Sequence, residues 1–215
     1  MEKSKKTISL DTIILIFTVG SFLGYVVEML WYGYKRGYFI NRQGVIYGPF
    51  SPIYGFGAVL VTIALYKFVN LKPYIVITIS GLLGASFEYM CAFLQEKIFG
   101  TYSWDYSGSI LNINGRVDLK MTILWGIFGF LFIRYFYPLF GMFVVRFKQK
   151  NIRIVTWLIT ILMILNMGVS FLAAKRMADR RNGAEGKNPI TDYLDENYPD
   201  DVLEEIFTNV KVAPD

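Results

Sequence analysis

The chain has no histidine and a single cysteine, Cys91, among 215 residues. The first absence removes the commonest general base, the commonest transition-metal ligand and any His-dependent triad. The second excludes an internal disulfide framework and a cysteine metal cluster. No metal site and no cofactor is therefore expected. Charge is also scarce: Asp, Glu, Lys and Arg make up 18% of the residues, against roughly 25% in a soluble domain. No G-x-x-x-x-G-K-[ST] phosphate loop occurs, so the chain is not itself a Walker-type ATPase. A G-x-S-x-G nucleophile elbow and an H-E-x-x-H zinc motif are missing too. These absences argue against an enzyme.

What remains is apolar: 54% of the residues are hydrophobic, and they fall in long runs. Five spans follow, at about 9–34, 52–69, 73–99, 117–137 and 152–174. The fourth has a possible continuation past Pro138 to Val145. Each span is near the ~20 residues that cross ~30 Å of hydrocarbon. Tyr and Trp gather at the span ends, among them Trp31, Tyr34, Tyr66, Tyr74, Trp104 and Tyr137, as interfacial aromatics do. The expected fold is an all-α polytopic transmembrane bundle, multi-pass in a cell membrane, with membrane lipid as its surroundings. The basic start MEKSKKTISLDT resembles a signal peptide, but the apolar stretch behind it is too long, so a retained first span is expected.

Net charge is unevenly spread. Residues 1–181 hold 20 Lys/Arg against 8 Asp/Glu, whereas residues 182–215 hold 2 against 9. The basic part coincides with the spans, where Lys and Arg decorate helix ends, and points to lipid surface, not nucleic acid. Lys3, Lys5, Lys6, Lys67, Lys72, Arg146, Lys148, Lys150 and Arg153 fall on the N-terminal side of the membrane. Lys35, Arg36, Arg42, Lys97, Arg116, Lys120, Lys175, Arg176, Arg180 and Arg181 fall on the other. Nine against ten assigns no orientation. The segment 182–215 reads as an acidic soluble tail, solvated or docked to a partner, with one or two short helices and Asp200 or Asp201 as an N-cap.

An offset of sixty residues superimposes the first span on the third. Gly20, Gly24 and Glu28 fall on Ser80, Gly84 and Glu88. Small residues four apart share one helix face, and the glutamate one turn on shares it as well. Such spacing lets membrane helices approach closely. The likeness continues in the loops, where INRQGV (40–45) matches INGRV (113–117) and sets Arg42 against Arg116. Further on, YGFG (54–57) parallels WGIFG (125–129). One span separates the copies, so both units run the same way, as a parallel repeat of spans 1–2 and 3–4.

Both loops leave on one membrane side, so Glu28, Glu88, Arg42, Arg116 and Lys120 are expected to converge. A charge in a membrane helix costs ~2.5–3.5 kcal/mol on insertion scales, so it faces an interior, a partner or water. Three roles stay open for the glutamates: pairing with Arg42, Arg116 or Lys120 to fix the fold, lining a polar cleft for a substrate or ion, or serving as acid and base. Cys91 reads as a packed small side chain, and Arg134 as a snorkelling one. The stretch GVIYGPFSPIYGFG (44–57) carries Gly48, Pro49, Pro52, Tyr54 and Gly55. Pro52 suits the first turn of a helix, and the stretch is read as a rigid rim of the cleft. TYSWDYSGS (101–109), with Trp104, Asp105 and Tyr106, reads as an interfacial lid or a plain belt loop.

The stretches GYVVEMLWYGYKRGYFINRQGVIYGPFSPIYGFGA (24–58) and FEYMCAFLQEKIFGTYSWDYSGSILNINGRVDLKMTILWG (87–126) resemble the ABC-transporter permease family of the CmpB type. The tail YLDENYPDDVLEEIF resembles its C-terminal segment, so the likeness runs from about residue 10 to 208. It implies an integral membrane transporter component, with a separate ATP-binding subunit as partner and a homodimeric assembly, and carries over no site residues. Two other readings stay beside it: a non-transporting scaffold or regulator whose tail recruits a partner, and a membrane-embedded enzyme acting on lipid or envelope precursors with the glutamates as acid and base.

Overall fold

The computed structural model describes residues 8–145 and 149–213. Lys3, Lys5, Lys6, Arg146 and Lys148, counted above on the N-terminal side, lie outside them, as does the side chain of Lys150. Helix α1 (Leu10–Arg36) starts where the Ser9 side chain accepts from the Thr12 N–H and stops at Gly37, whose φ of 80° ends the helix without a Cβ clash. Helix α2 (Pro52–Leu65) begins on a proline whose missing N–H costs nothing in the first turn. A 3-10 turn (Tyr66–Phe68) closes it. Helix α3 (Pro73–Phe99) has the same proline start and ends at Gly100, φ 60°.

Asp118 caps α4 (Leu119–Leu131) by accepting from the Met121 N–H at 2.7 Å. The apolar helix does not stop near Tyr137. A π-helical turn (Phe132–Phe136) absorbs Pro138, and the helix goes on as α5 (Tyr137–Val145). Proline removes one helical N–H and crowds the carbonyl four residues back, and a wider turn makes room for both. The last long helix, α6 (Gln149–Arg181), also outruns its expected end at Ala174.

Among the described residues, four segments are long and apolar enough to cross a membrane: Leu10–Arg36, Pro73–Phe99, Leu119–Met142 and Arg153–Arg181. The expected second span is the shorter apolar helix Pro52–Phe68, which at 1.5 Å per residue reaches only ~25 Å. The chain is thus an all-α bundle of membrane-integral type, α1 packed chiefly on α2 and α3 on α4. An apolar cluster joins the pairs beside the α2–α3 connection, around Val61, Leu65, Val76 and Ile133 with Leu71 packed against them.

The tail holds two short helices, within the one or two expected, but neither Asp200 nor Asp201 is an N-cap. Helix α7 (Pro189–Asn197) carries a capping box between Asn188 and Thr191. Helix α8 (Asp200–Ile206) is preceded by Pro199 in the N-cap position, with Asp200 and Asp201 in its first turn. Here the acids face the positive helix end directly and need no capping geometry. Leu194, Tyr198 and Leu203 bury themselves against Ile46, Ala173 and Met177. The last described residues form a two-residue strand, β2 (Lys211–Val212), antiparallel to β1 (Thr101–Tyr102).

Candidate functional site

The repeat seen in the sequence is realised as matched contacts. A Cβ on Gly24 would lie 2.2 Å from the Tyr54 ring, and one on Gly84 would lie 2.6 Å from the Trp125 Cβ. One residue on, a Cβ on Gly55 would strike the Phe17 carbonyl oxygen at 2.4 Å, and one on Gly126 the Ile77 carbonyl oxygen at 2.6 Å. Gly20 faces Ala58, and Ser80 faces Gly129. Each of these three α1–α2 contacts therefore has an α3–α4 counterpart. The absent side chains let the backbones approach closely, as small-residue faces do in membranes.

That closeness sets the aromatic residue of the second helix beside the glutamate of the first. Tyr54 Oη donates to Glu28 Oε1 at 2.7 Å. Trp125 Nε1 donates to Glu88 Oε2 at 2.9 Å. The second carboxylate oxygens are also engaged: Arg42 Nε reaches Glu28 Oε2 at 3.1 Å, and Tyr106 Oη reaches Glu88 Oε1 at 2.9 Å. The Tyr54 and Trp125 rings touch, with centroids 5.8 Å apart, so the two half-sites meet at the centre of the bundle. Glu88 is buried, at 4% exposure. Burial and the neighbouring Glu88 carboxylate keep the Tyr106 phenol protonated well beyond its ordinary range.

The expected convergence of charges is met only in part. Arg42 pairs with Glu28 and stacks over the Tyr32 ring, 5.2 Å from its centroid. Arg116 does not pair with Glu88; its Nη2 bonds Glu96 at 2.6 Å, and its guanidinium lies over the Tyr89 and Phe93 rings. The sixty-residue offset explains the divergence. Arg36 occupies the position of Glu96 in the first unit, so Arg42 meets a like charge there and turns to Glu28. Arg116 finds an acid at that position and stays with it, and this hydrogen bond raises its affinity for its proton. Lys120 is exposed on α4 and joins neither carboxylate. Of the residues expected to line a cleft, Glu28 and Arg42 thus meet directly, while Glu88 is hydrogen-bonded by Tyr106 and Trp125.

The rim and lid residues have defined tasks. Gly48 takes φ 80°, and the Phe50 N–H returns to its carbonyl at 2.9 Å. Pro49 follows it within this turn, and Pro52 opens α2. The Ser51 N–H donates to the Ser21 carbonyl at 2.9 Å, clamping the stretch on α1. In the second loop Trp104 Nε1 donates to the Arg116 carbonyl at 2.9 Å. Asp105 accepts from the Ser107 N–H at 2.8 Å, which lowers its pKa. Together these fold the loop so that Tyr106 reaches Glu88.

Sequence reasoning missed Asn166 and Ser170 of α6. Asn166 accepts from the Tyr47 N–H at 3.1 Å and donates to the Tyr47 carbonyl at 2.6 Å, and Ser170 Oγ accepts from the Ile46 N–H at 2.8 Å. Two polar side chains one turn apart inside an apolar span were the available signal. Tyr47 Oη also shares a 2.7 Å hydrogen bond with Tyr198 Oη of the tail.

A family model described as "Putative ABC-transporter type IV" matches residues 15–171. The matched region holds both units, both loops and most of α6, and stops before the tail, where the likeness had been drawn to residue 208. No curated protein and no solved structure matches the chain.

Proposed function

We propose, because the chain belongs to the family described as "Putative ABC-transporter type IV", that it is the permease-like membrane subunit of a transporter in the cell membrane. The observation that carries this reading is the matched pair of intramembrane carboxylates, bridged by Tyr54 and Trp125 between two parallel units. Holding two acids in an apolar bundle, Glu88 buried and Glu28 partly so, has a cost in stability, and a polar site at the interface of two repeats is a known way to hold a substrate path. Glu28 has a cationic partner, while Glu88 is held by neutral donors only. Relative movement of the units would exchange these hydrogen bonds for contacts to a substrate. ATP hydrolysis is assigned to a separate subunit, since the chain has no phosphate loop of its own, and two copies of the chain would complete the assembly.

Purification of the tagged chain from its native membrane tests this directly. A stoichiometric ATP-binding protein should accompany it, with ATPase activity that falls in Glu28→Gln and Glu88→Gln while membrane insertion stays intact. Recovery of the chain without an ATP-binding subunit would overturn the reading in favour of a scaffold. Loss of folded protein in both variants would make the glutamates structural pins only.

A further inference from the structure

Beside the rim segment lies a cavity of about 340 Å³, walled by α6, the end of α3, the start of α2 and the tail helix α8. Its α6 wall runs from Met167 through Ser170, Phe171, Ala174, Met177 and Ala178 to Arg181. Residues three, four and seven positions apart share one helix face. From Met167 to Arg181 that face rises ~21 Å at 1.5 Å per residue. A volume of this size drawn out over such a length suits one extended chain and no compact ligand.

The two ends differ in chemistry. Towards the Met167 end the walls are mostly apolar, and Phe171 is half exposed and in edge contact with Phe99. At the other end, past the last apolar turn of the span, stand Arg181 and Glu204. Their ion pair is loose, at 3.4 Å, whereas Arg176 and Asp195 next to it close to 2.6 Å. Glu204 is 66% exposed, so it turns away from Arg181 with little loss. A cation and an anion that hold each other weakly, above an apolar slot, match a headgroup that carries both charges.

We propose that this cavity binds a single-chain zwitterionic phospholipid drawn from the bilayer. The acyl chain lies along α6 over the Phe171–Phe99 ring pair, the phosphate on Arg181 and the ammonium on Glu204. Such a lipid would join the membrane body to the tail and sit directly under the rim segment.

Native mass spectrometry of the full-length protein in detergent, with palmitoyl lysophosphatidylethanolamine or the anionic palmitoyl lysophosphatidylglycerol as probe, tests the assignment. The wild type should retain one lysophosphatidylethanolamine and at least five-fold less lysophosphatidylglycerol, by the loss of one charge pair. Ala174→Trp fills the slot and should abolish retention, while Leu172→Trp, on an exposed face of α6, should keep it. Glu204→Gln, a surface change that spares the fold, should bring the two lipids to equal retention. Equal retention of both lipids by the wild type, an unchanged preference in Glu204→Gln, or full retention in Ala174→Trp would each overturn the proposal.

Discussion

Single glycines decide how close the helices of each unit come. Gly24 faces the root of the Tyr54 side chain and not its flexible end, so an added methyl has no room. Gly24→Ala should cost about 1–3 kcal/mol by overpacking and pull Tyr54 away from Glu28. Gly57 lies in the same helix as Tyr54 with nothing within 4 Å of its missing Cβ. Gly57→Ala should be neutral or gain up to ~1 kcal/mol from helix propensity. Thermal unfolding of both variants in one detergent separates them; equal behaviour would mean that the α1–α2 contact is looser than described. Residue spacing alone identified Gly24, Glu28, Gly84 and Glu88 as members of one face. It did not give the partners of Arg116, because its choice of Glu96 depends on an acid twenty residues away in sequence that lies outside the motif.

At the scale of elements, helices with strong local signals were legible and docking was not. Pro52 opens its helix as the sequence suggests, and Pro73 and Gly37 act in the same way, each through its own backbone. The π turn before Pro138 answers to packing on the carbonyls around it, and Arg134 there donates to the Val69 carbonyl. The tail was invisible as a packed unit because its apolar residues are few and their partners lie in α6 and the rim. Two predictions belong here. Ser170→Ala leaves the buried Ile46 N–H without its acceptor and should cost about 1–3 kcal/mol, read by chemical unfolding. Asp195, bonded by Arg176 and then by Arg180, has its pKa pulled from the usual 3.8 to about 2. A depressed carboxylate stabilises the docked state above its unfolded pKa and loses that contribution as pH falls through the folded one. The tail should therefore hold at pH 5 and release as pH falls from about 4 to about 2. Cleavage of the tail by an acid-active protease checks this: Asp195→Asn should be cleaved readily at pH 5 and lose the steep pH dependence, and a pH-independent wild type would refute the linkage.

The whole molecule is two similar units joined by an apolar cluster around Val61, Leu65, Val76 and Ile133 and, beside the glutamates, by the Tyr54–Trp125 ring contact, with α6 and the tail packed along them. Each unit could hold its own glutamate without the other, because Tyr54 serves Glu28 and Trp125 serves Glu88. The sequence repeat therefore identifies the units but says nothing of how they communicate. That depends on the Tyr54–Trp125 ring contact, which no repeat-internal signal encodes, since each residue matches the other in the alignment and not a partner. If the contact transmits movement between the halves, the two residues are energetically coupled. Tyr54→Leu and Trp125→Leu should each destabilise by several kcal/mol through lost burial and a lost hydrogen bond. The double variant should be less destabilised than the sum of the two by about 0.5–1.5 kcal/mol, the value of an aromatic pair. The cycle is measured by unfolding in one detergent, with Tyr54→Leu combined with Tyr198→Leu as the distant reference pair. Strict additivity for Tyr54 and Trp125 would mean that the ring contact does not couple the halves, and that any movement at Glu28 reaches Glu88 by way of the apolar cluster around Leu65 and Ile133 or of α6 instead.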